Sequence, residues 1–355
     1  MKSIGIKQFR HEGCLSYVVF DRPSGAAVVI DPLAEAIEDY REYLAEHKLK
    51  PLIALDTHTH ADHFSGSHFF AREYGVPIGM SEKTRSERVT RKLRHGEWIE
   101  IGSIRLQALA TPGHTPDSMS FYMLGLVFTG DTLFIGSSGR TDFPGADPAE
   151  QWKSLHEVLG ALPDDTVMMP GHDYNDLLFS TMGVEKKKNP HWLVPSCEQF
   201  AAMKKAETIV TVTDEVRKRI EFNSKKSPQE SPQTNVGAAT ACGVAMQGAI
   251  RVVSISVDKY ATKLKENSEK TAFIDVREED EFVDGHMPGV QNIPLSELAL
   301  HMSELTQAKR VYLSCLSGRR SGLATQTLNY LGLTDVVNVT GGFRAWQSSG
   351  FEVTR

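Results

Sequence analysis

The sequence predicts two α/β domains in one chain. Three observations carry that prediction: the length, the alternation of short apolar runs with helical segments, and a polar break about two-thirds of the way along. At 355 residues the chain exceeds what a single hydrophobic core usually organises. Its 40% hydrophobic and 24% charged residues are those of an ordinary globular protein rather than a disordered or disulfide-dense one. A formal net charge of -6 supplies no broad basic surface, so small molecules are expected as partners, not nucleic acid or an anionic membrane. No apolar stretch approaches the roughly 18 residues that span a bilayer, and the opening MKSIGIKQF lacks the long apolar core of a secretory signal; cytoplasm is the expected location. Cys14, Cys197, Cys242 and Cys315 are too few and too dispersed for a disulfide scaffold, which fits a reduced compartment. Self-association is left open.

The elements follow in order. CLSYVVFD and AAVVIDP read as strands separated by a turn at 22–25, Leu33 to His47 has helical spacing, and PLIALDT is an apolar run of strand length. HFSGSHFFAREYG returns to a helical pattern. A β stretch from Trp98 through LQALATPG to MSFYMLGLVFTGD comes next, then a helix around Gln151 to Leu162 and the apolar run DTVMMPGH. Glu198 to Asn223 is helical and charge-rich. SKKSPQESPQTN, almost without apolar residues, reads as the linker. Beyond it TAFIDV, QNIPL, KRVYLSC and VVNVTGG alternate with helical segments, the pattern of a small parallel sheet. The expected boundaries are 1–223, a linker at 224–236, and 237–355.

The first constellation follows PLIALDT: His58, His60, Asp62 and His63 place four potential metal ligands within six positions of one loop. His114 in TPGHTPDS, Asp131 in FTGDTLF and His172 in MPGHDY each follow a strand-like run, so loops at strand ends are able to converge on one edge of a sandwich. These residues resemble the metallo-β-lactamase superfamily over roughly 1–223, which implies an αββα sandwich. One ligand pattern in that family assigns His58, His60 and His114 to one metal, Asp62, His63 and His172 to a second, and Asp131 as the bridge. This is the zinc arrangement of glyoxalase II-like thioester hydrolases. In another branch, the persulfide dioxygenases, the resemblance implies one Fe(II) held by His58, His114 and Asp131, with His60, Asp62, His63 and His172 orienting those ligands.

Gly139-Arg140-Thr141-Asp142-Phe143 resembles the Gly-Arg-Thr-Asp-Phe signature of the dioxygenases and favours that branch. Arg140 is then a candidate for binding a glutathione carboxylate or for securing its loop through Asp142. Tyr174, just beyond His172, is a candidate substrate contact.

The second constellation is Cys315-Leu316-Ser317-Gly318-Arg319-Arg320, where a strand runs into a cysteine, a Gly-containing loop and a helix start. Inward backbone N–H groups, with Arg319 and Arg320, favour a thiolate and stabilise a persulfide. With FIDVREEDEFVDGHMPGVQNIPL before it and GGFRAW after it, this half resembles the rhodanese family over about 237–355. The six-residue loop is of sulfurtransferase length, one residue shorter than that of the phosphatases on this fold. Asp275, Arg277 and His286 are expected to be structural, as are Cys14, Cys197 and Cys242.

The whole resembles a persulfide dioxygenase–rhodanese fusion. The resemblance implies Fe(II)- and O2-dependent oxidation of glutathione persulfide to sulfite and glutathione, together with sulfur transfer between thiosulfate and glutathione through Cys315. A dinuclear zinc thioesterase fused to a rhodanese domain is the alternative, and a non-catalytic persulfide sensor is a third reading.

Overall fold

The computed structural model describes residues 3–207, 213–225, 250–266 and 270–355. The greater part of the expected linker, its junction at Gly237 and Cys242 lie outside the described residues. The chain divides into two compact units, Met1–Asn175 with Thr181–Met246, and Asp176–Ser180 with Gln247–Arg355.

The first unit is a sandwich of two sheets. One runs in sequence order through Ile4–His11, Cys14–Asp21, Ala26–Ile30, Lys50–Leu55, Ile78–Ser81 and Arg91–Leu93. Its early pairings are antiparallel and its later ones parallel. The switch falls where the helix Ile37–Glu46 makes the crossover that a parallel pair requires. Cys14–Asp21 and Ala26–Ile30 are buried at every position, which accounts for their nearly continuous apolar sequence. The crossover helix sets Tyr40 and Leu44 into a cluster with Val18, Phe20, Ala27 and Val29. The Tyr40 hydroxyl accepts from the Leu33 N–H at 3.1 Å and shares a 2.6 Å hydrogen bond with Ser16 Oγ.

The other sheet carries, side by side, Val167–Pro170, Leu126–Gly130, Met119–Met123, Ile104–Ala110 and Trp98–Ile101. The apolar run MSFYMLGLVFTG is thus two strands, folded back at Leu124-Gly125 with Met123 opposite Leu126. The helix expected near Gln151 begins at Pro148, capped by the Asp147 side chain, which accepts from the Ala149 and Glu150 N–H groups. It continues as a π turn at Ser154–Val158 and a 3-10 turn at Leu159–Ala161. Ile78–Ser81 and Arg91–Leu93 escape the sequence pattern because each is short and the second is mostly basic.

The second unit holds one parallel sheet in the order Val253–Ser256, Val336–Thr340, Arg310–Ser314, Thr271–Asp275, Gln291–Asn292. Helices Val257–Glu266, Arg319–Tyr330 and Gly342–Ser348 each follow a strand. Tyr260, Phe273, Tyr312, Val339 and Trp346 fill its core. Among the described residues no helix is long and apolar enough to cross a membrane.

Removing the Tyr40 hydroxyl strands a buried backbone N–H without opening a large cavity. Tyr40→Phe is therefore expected to lower unfolding free energy by about 1–3 kcal/mol, read by urea denaturation.

Candidate functional site

Each candidate metal ligand sits just past the end of a strand. His58 follows Lys50–Leu55, His114 follows Ile104–Ala110, Asp131 follows Leu126–Gly130 and His172 follows Val167–Pro170. His58, His114 and Asp131 form one group whose ligand atoms all lie within 4.8 Å of one another. Asp131 Oδ2 stands 4.0 Å from His58 Nε2 and 3.7 Å from His114 Nε2. His58 Nε2 and Asp131 Oδ2 are buried without any hydrogen-bond partner. Two buried polar atoms left unpaired and aimed at one point are costly unless a cation completes them, so this donor set fits a metal ion.

The neighbours of the two histidines in this group settle their tautomers. Thr57 Oγ1 donates to Asp31 Oδ2 at 2.9 Å, so it accepts from His58 Nδ1–H at 3.0 Å and leaves the Nε2 lone pair free. His114 Nδ1–H donates to the Arg140 carbonyl at 2.7 Å with the same result. The free lone pairs agree with the acidity of these rings. Burial, reinforced by His60, holds His58 well below the ordinary histidine range, and burial lowers His114.

The rest of the cluster is divided. His63 Nε2 is also buried without a hydrogen-bond partner, and Cys14-Asp62-His63, His58-His60-Asp62 and Asp31-Asp56-His60 likewise bring ligand atoms within 4.8 Å of one another, whereas His172 is fully engaged. His172 uses both ring nitrogens, Nδ1 to Asp131 Oδ1 at 2.8 Å and Nε2 to Asp62 Oδ2 at 2.9 Å. His63 Nδ1 meets the same Asp62 oxygen at 2.9 Å, and Cys14 Sγ lies 3.4 Å from it and from His172 Nε2. Burial alone would lower His63 and His172, but Asp62 and Asp131 respectively outweigh it and hold both above the ordinary range. Burial likewise pushes Asp131 up, and His172 with His58 and His114 more than reverses this. His60 Nε2 points to Asp31 Oδ1 at 3.1 Å, while its Nδ1 has no partner.

Several positioning residues carried no recognisable sequence signal. Asn223 donates to the His60 and His63 carbonyls at 2.9 and 3.0 Å and accepts from Ser65 N–H at 2.9 Å, which ties the whole His loop to the helix Asp214–Ser224. Asp117 joins the His58 and His114 loops by accepting from Thr59 and Thr115 hydroxyls, each at 2.6 Å. Buried Gln151 donates to the Thr132 and Gly139 carbonyls at 3.2 and 3.0 Å. Asp31, which accepts from Thr57 and meets His60, was missed in the same way, because these contacts join residues far apart in sequence.

The Gly139–Phe143 segment is built into the pocket. A Cβ on Gly139 would lie 2.0 Å from the Asp131 carbonyl oxygen, so only glycine admits this approach. Arg140 forms a two-point ion pair with Asp142 and lies over the Phe143 ring at 4.6 Å. The structure thus shows Arg140 securing its own loop, and the Arg140 main chain orients His114. Tyr174 stacks parallel to His172 with ring centroids 5.8 Å apart. Beside the His loop lies a cleft of about 850 Å³, lined by Thr59, Ala61, Thr115 and Phe143 and rimmed by cations that include Lys83 and Arg85.

In the second unit Cys315 is buried where Arg310–Ser314 ends. Gly318 N–H donates to its Sγ at 3.1 Å, and Ser321 Oγ lies 3.5 Å from it. Burial pushes the thiol up. The donors Ser321 Oγ and the N–H groups of Ser321, Ser317 and Gly318 outweigh it, and the net position is below the ordinary thiol range. The same loop ends at the N-terminus of helix Arg319–Tyr330, whose dipole favours the anion. Leu316 leaves its carbonyl to Arg344 N–H at 2.9 Å, as Cys315 leaves its own to Phe343 N–H at 2.8 Å. GGFRAW thereby clamps the cysteine loop. Gly342, at φ +55, would put a Cβ 2.1 Å from the Cys315 carbonyl oxygen. Arg320 pairs with Glu281 through contacts of 2.5 and 2.7 Å, and Arg319 is exposed, so the donors that touch Sγ are main-chain groups and Ser321. Arg277 is spent on Asp275 and on the Glu281 and Gly285 carbonyls, and His286 on the Phe282 carbonyl. Cys14 is buried and Cys197 half-buried, both as free thiols.

Fold and donors together define a metallo-β-lactamase-type metal domain joined to a rhodanese-type domain. Residues 10–172 match the metallo-beta-lactamase superfamily and residues 259–349 the rhodanese-like domain. Persulfide dioxygenase ETHE1, mitochondrial, of Bos taurus is 34% identical over 197 residues, which are 55% of this chain and 77% of the relative. The solved structure of ETHE1 from Myxococcus xanthus superposes with a TM-score of 0.58 at 31% identity, covering 62% of this chain and 96% of that one. A metallo-beta-lactamase structure from Staphylococcus aureus subsp. aureus COL covers 95% of this chain and 99% of its own with a TM-score of 0.60 at 23% identity, a likeness of fold. The chain belongs to the persulfide dioxygenase family and carries a rhodanese domain in addition.

Thr57→Val removes the acceptor of His58 Nδ1–H at nearly constant volume. It is expected to weaken metal binding by about 10–100-fold in a chelator competition titration. For Cys315 the sign follows from its pKa, which lies below that of an ordinary thiol. The thiolate is complete above the depressed value and is lost only as pH falls through it. Iodoacetamide labelling of Cys315 at pH 7 is therefore expected to be slower in the unfolded chain than in the folded protein, which carries the larger thiolate fraction, since an ordinary thiol of pKa about 8.5 is mostly protonated there.

Proposed function

We propose that the first domain oxidises glutathione persulfide with O2 to sulfite and glutathione at a single Fe(II), and that the second moves sulfane sulfur between thiosulfate and glutathione through Cys315. The observation that carries this reading is the division within the histidine cluster. His58, His114 and Asp131 each present an atom to one point, whereas His172, the expected ligand of a second metal, has both nitrogens hydrogen-bonded to carboxylates. His58, His114 and Asp131 would hold the Fe(II), which when bound would supply the oxygen chemistry, and three protein donors would not exhaust its coordination.

The protein's own groups bind and orient. Lys83 and Arg85 at the rim of the cleft complement the carboxylates of glutathione, while Ala61 and Phe143 offer apolar contact to its stem. His114 is kept in register by the Arg140 carbonyl and Asp131 by His172, so neither ligand turns away when substrate enters. The balance for this half is persulfide, O2 and water giving thiol, sulfite and two protons.

In the second domain the Cys315 thiolate attacks the outer sulfur of thiosulfate, and the S–S electron pair leaves with sulfite. Glutathione thiol then takes the outer sulfur from the resulting Cys315 persulfide, restoring the thiolate and giving glutathione persulfide. The N–H groups of Ser317, Gly318 and Ser321 hold the anion at each stage. Persulfide is the product of one reaction and the substrate of the other, which gives the two domains a common metabolite. A hydrolase beside a sulfurtransferase shares none.

The test is metal analysis of protein from iron-supplemented cells, together with oxygen uptake on adding glutathione persulfide. About one iron per chain and uptake matching sulfite release are expected. Two zinc ions per chain without oxygen uptake would overturn the reading in favour of a dinuclear thioesterase. Cys315→Ser is expected to abolish thiosulfate-dependent sulfur transfer and to keep oxygen uptake with preformed glutathione persulfide.

A further inference from the structure

Buried Ser321 stands in the first turn of helix Arg319–Tyr330 with a single hydroxyl proton and two acceptors. Asn338 Oδ1, on the neighbouring strand Val336–Thr340, lies 2.7 Å from Ser321 Oγ, and Cys315 Sγ lies 3.5 Å from it. Asn338 is itself held, its Nδ2 reaching Ser254 Oγ at 3.4 Å. One hydroxyl proton serves one strong hydrogen bond at a time, so the two acceptors compete.

The competition changes during sulfur transfer. As a thiolate, Cys315 Sγ is a charged acceptor and attracts the proton more strongly than a neutral amide oxygen. As the inner sulfur of a persulfide, Sγ is neutral, carries its charge one atom further out, and accepts weakly. Asn338 is then the better partner. We infer that Ser321 is a catalytic residue of the sulfurtransferase, donating its hydroxyl hydrogen bond to Cys315 Sγ as that atom becomes the leaving thiolate and returning it to Asn338 when the persulfide forms. In the step concerned, the acceptor thiolate attacks the outer sulfur, the S–S bond breaks, and its electron pair passes to Sγ, where the hydroxyl meets it.

The main-chain donors differ from this arrangement. Gly318 N–H, 3.1 Å from Sγ, belongs to the main chain of the loop and has no second acceptor to turn to. Arg320 extends its field to Cys315, but its guanidinium is engaged by Glu281. Arg277, on the next strand end, is neutralised by Asp275. Ser321 is the side-chain hydroxyl in contact with Sγ whose bond is free to follow the charge.

The inference rests on the sulfur-transfer reading of Cys315, and its test separates the two. The rate of iodoacetamide labelling of Cys315 against pH needs no sulfur donor and reports the thiolate alone. Ser321→Ala is expected to shift the profile to higher pH and slow labelling at pH 7 about tenfold, the worth of one hydrogen bond to a charged group. Turnover with thiosulfate and glutathione should fall by a similar factor. Ser321→Thr keeps the hydroxyl and should restore both. Asn338→Ala leaves Ser321 in place with Cys315 as its remaining acceptor, and its labelling at pH 7 should equal or exceed that of the parent protein. Circular dichroism and unchanged oxygen uptake with glutathione persulfide verify that each variant folds. A Ser321→Ala protein with the parent's labelling profile overturns the inference, and so does an Asn338→Ala protein that labels more slowly. The expected labelling shift in Ser321→Ala without any thiosulfate-dependent turnover in the parent would instead count against the sulfur-transfer reading.

Discussion

The carboxylate of Asp131 faces two ways, and the metal pocket is arranged around that division. One oxygen is taken by His172 and the other is left buried without a partner, within about 4 Å of two imidazole nitrogens. A buried anion held by one hydrogen bond is unstable as a lone feature. It persists because the backbone around it is fixed from several directions, and because His172 is pinned in turn by Asp62. The close approach of Gly139 to the Asp131 carbonyl brings in the segment whose next residue, Arg140, orients His114. Two candidate ligands that follow different strands are in this way positioned by one short loop.

The same economy appears at Cys315. Its acidity is controlled by the loop that follows it and by the segment Gly341-Gly342-Phe343-Arg344, which occupies the carbonyls of Cys315 and Leu316 and so keeps the loop's N–H groups turned toward the sulfur. Burial opposes the thiolate there, and local dipoles outweigh it. Around the histidine cluster, burial instead favours the neutral forms of His58 and His114. The two sites use low polarity in opposite directions: one to present lone pairs, the other to strengthen the few donors aimed at a sulfur anion.

Arginine side chains play a smaller part than their motif positions suggest. Arg140, Arg277 and Arg320 each lie beside a site, and each closes a two-point pair with an acidic residue of its own neighbourhood. An arginine in a motif is legible as a charge, but whether that charge meets substrate or a nearby carboxylate depends on a partner that spacing does not reveal. Asp142 is two residues away and was visible. Glu281 is 39 residues from Arg320, and only the packing of its helix against the cysteine loop brings it there.

The sequence by itself determined the chemistry on offer: four metal-capable residues in one loop, His114, Asp131 and His172 after apolar runs, and a cysteine entering a short glycine loop. These are local patterns, and strand ends are readable because apolar runs stop at polar turns. Tertiary structure alone decided how the donors are shared out. Thr57 and the Arg140 carbonyl leave the Nε2 lone pairs of His58 and His114 free. Asp62 and Asp131 consume both nitrogens of His172. Asn223 and Gln151 hold backbone carbonyls that no motif marks. The physical reason is that a hydrogen bond is spent once, and which partner receives it depends on distances across the fold that the order of residues along the chain does not contain.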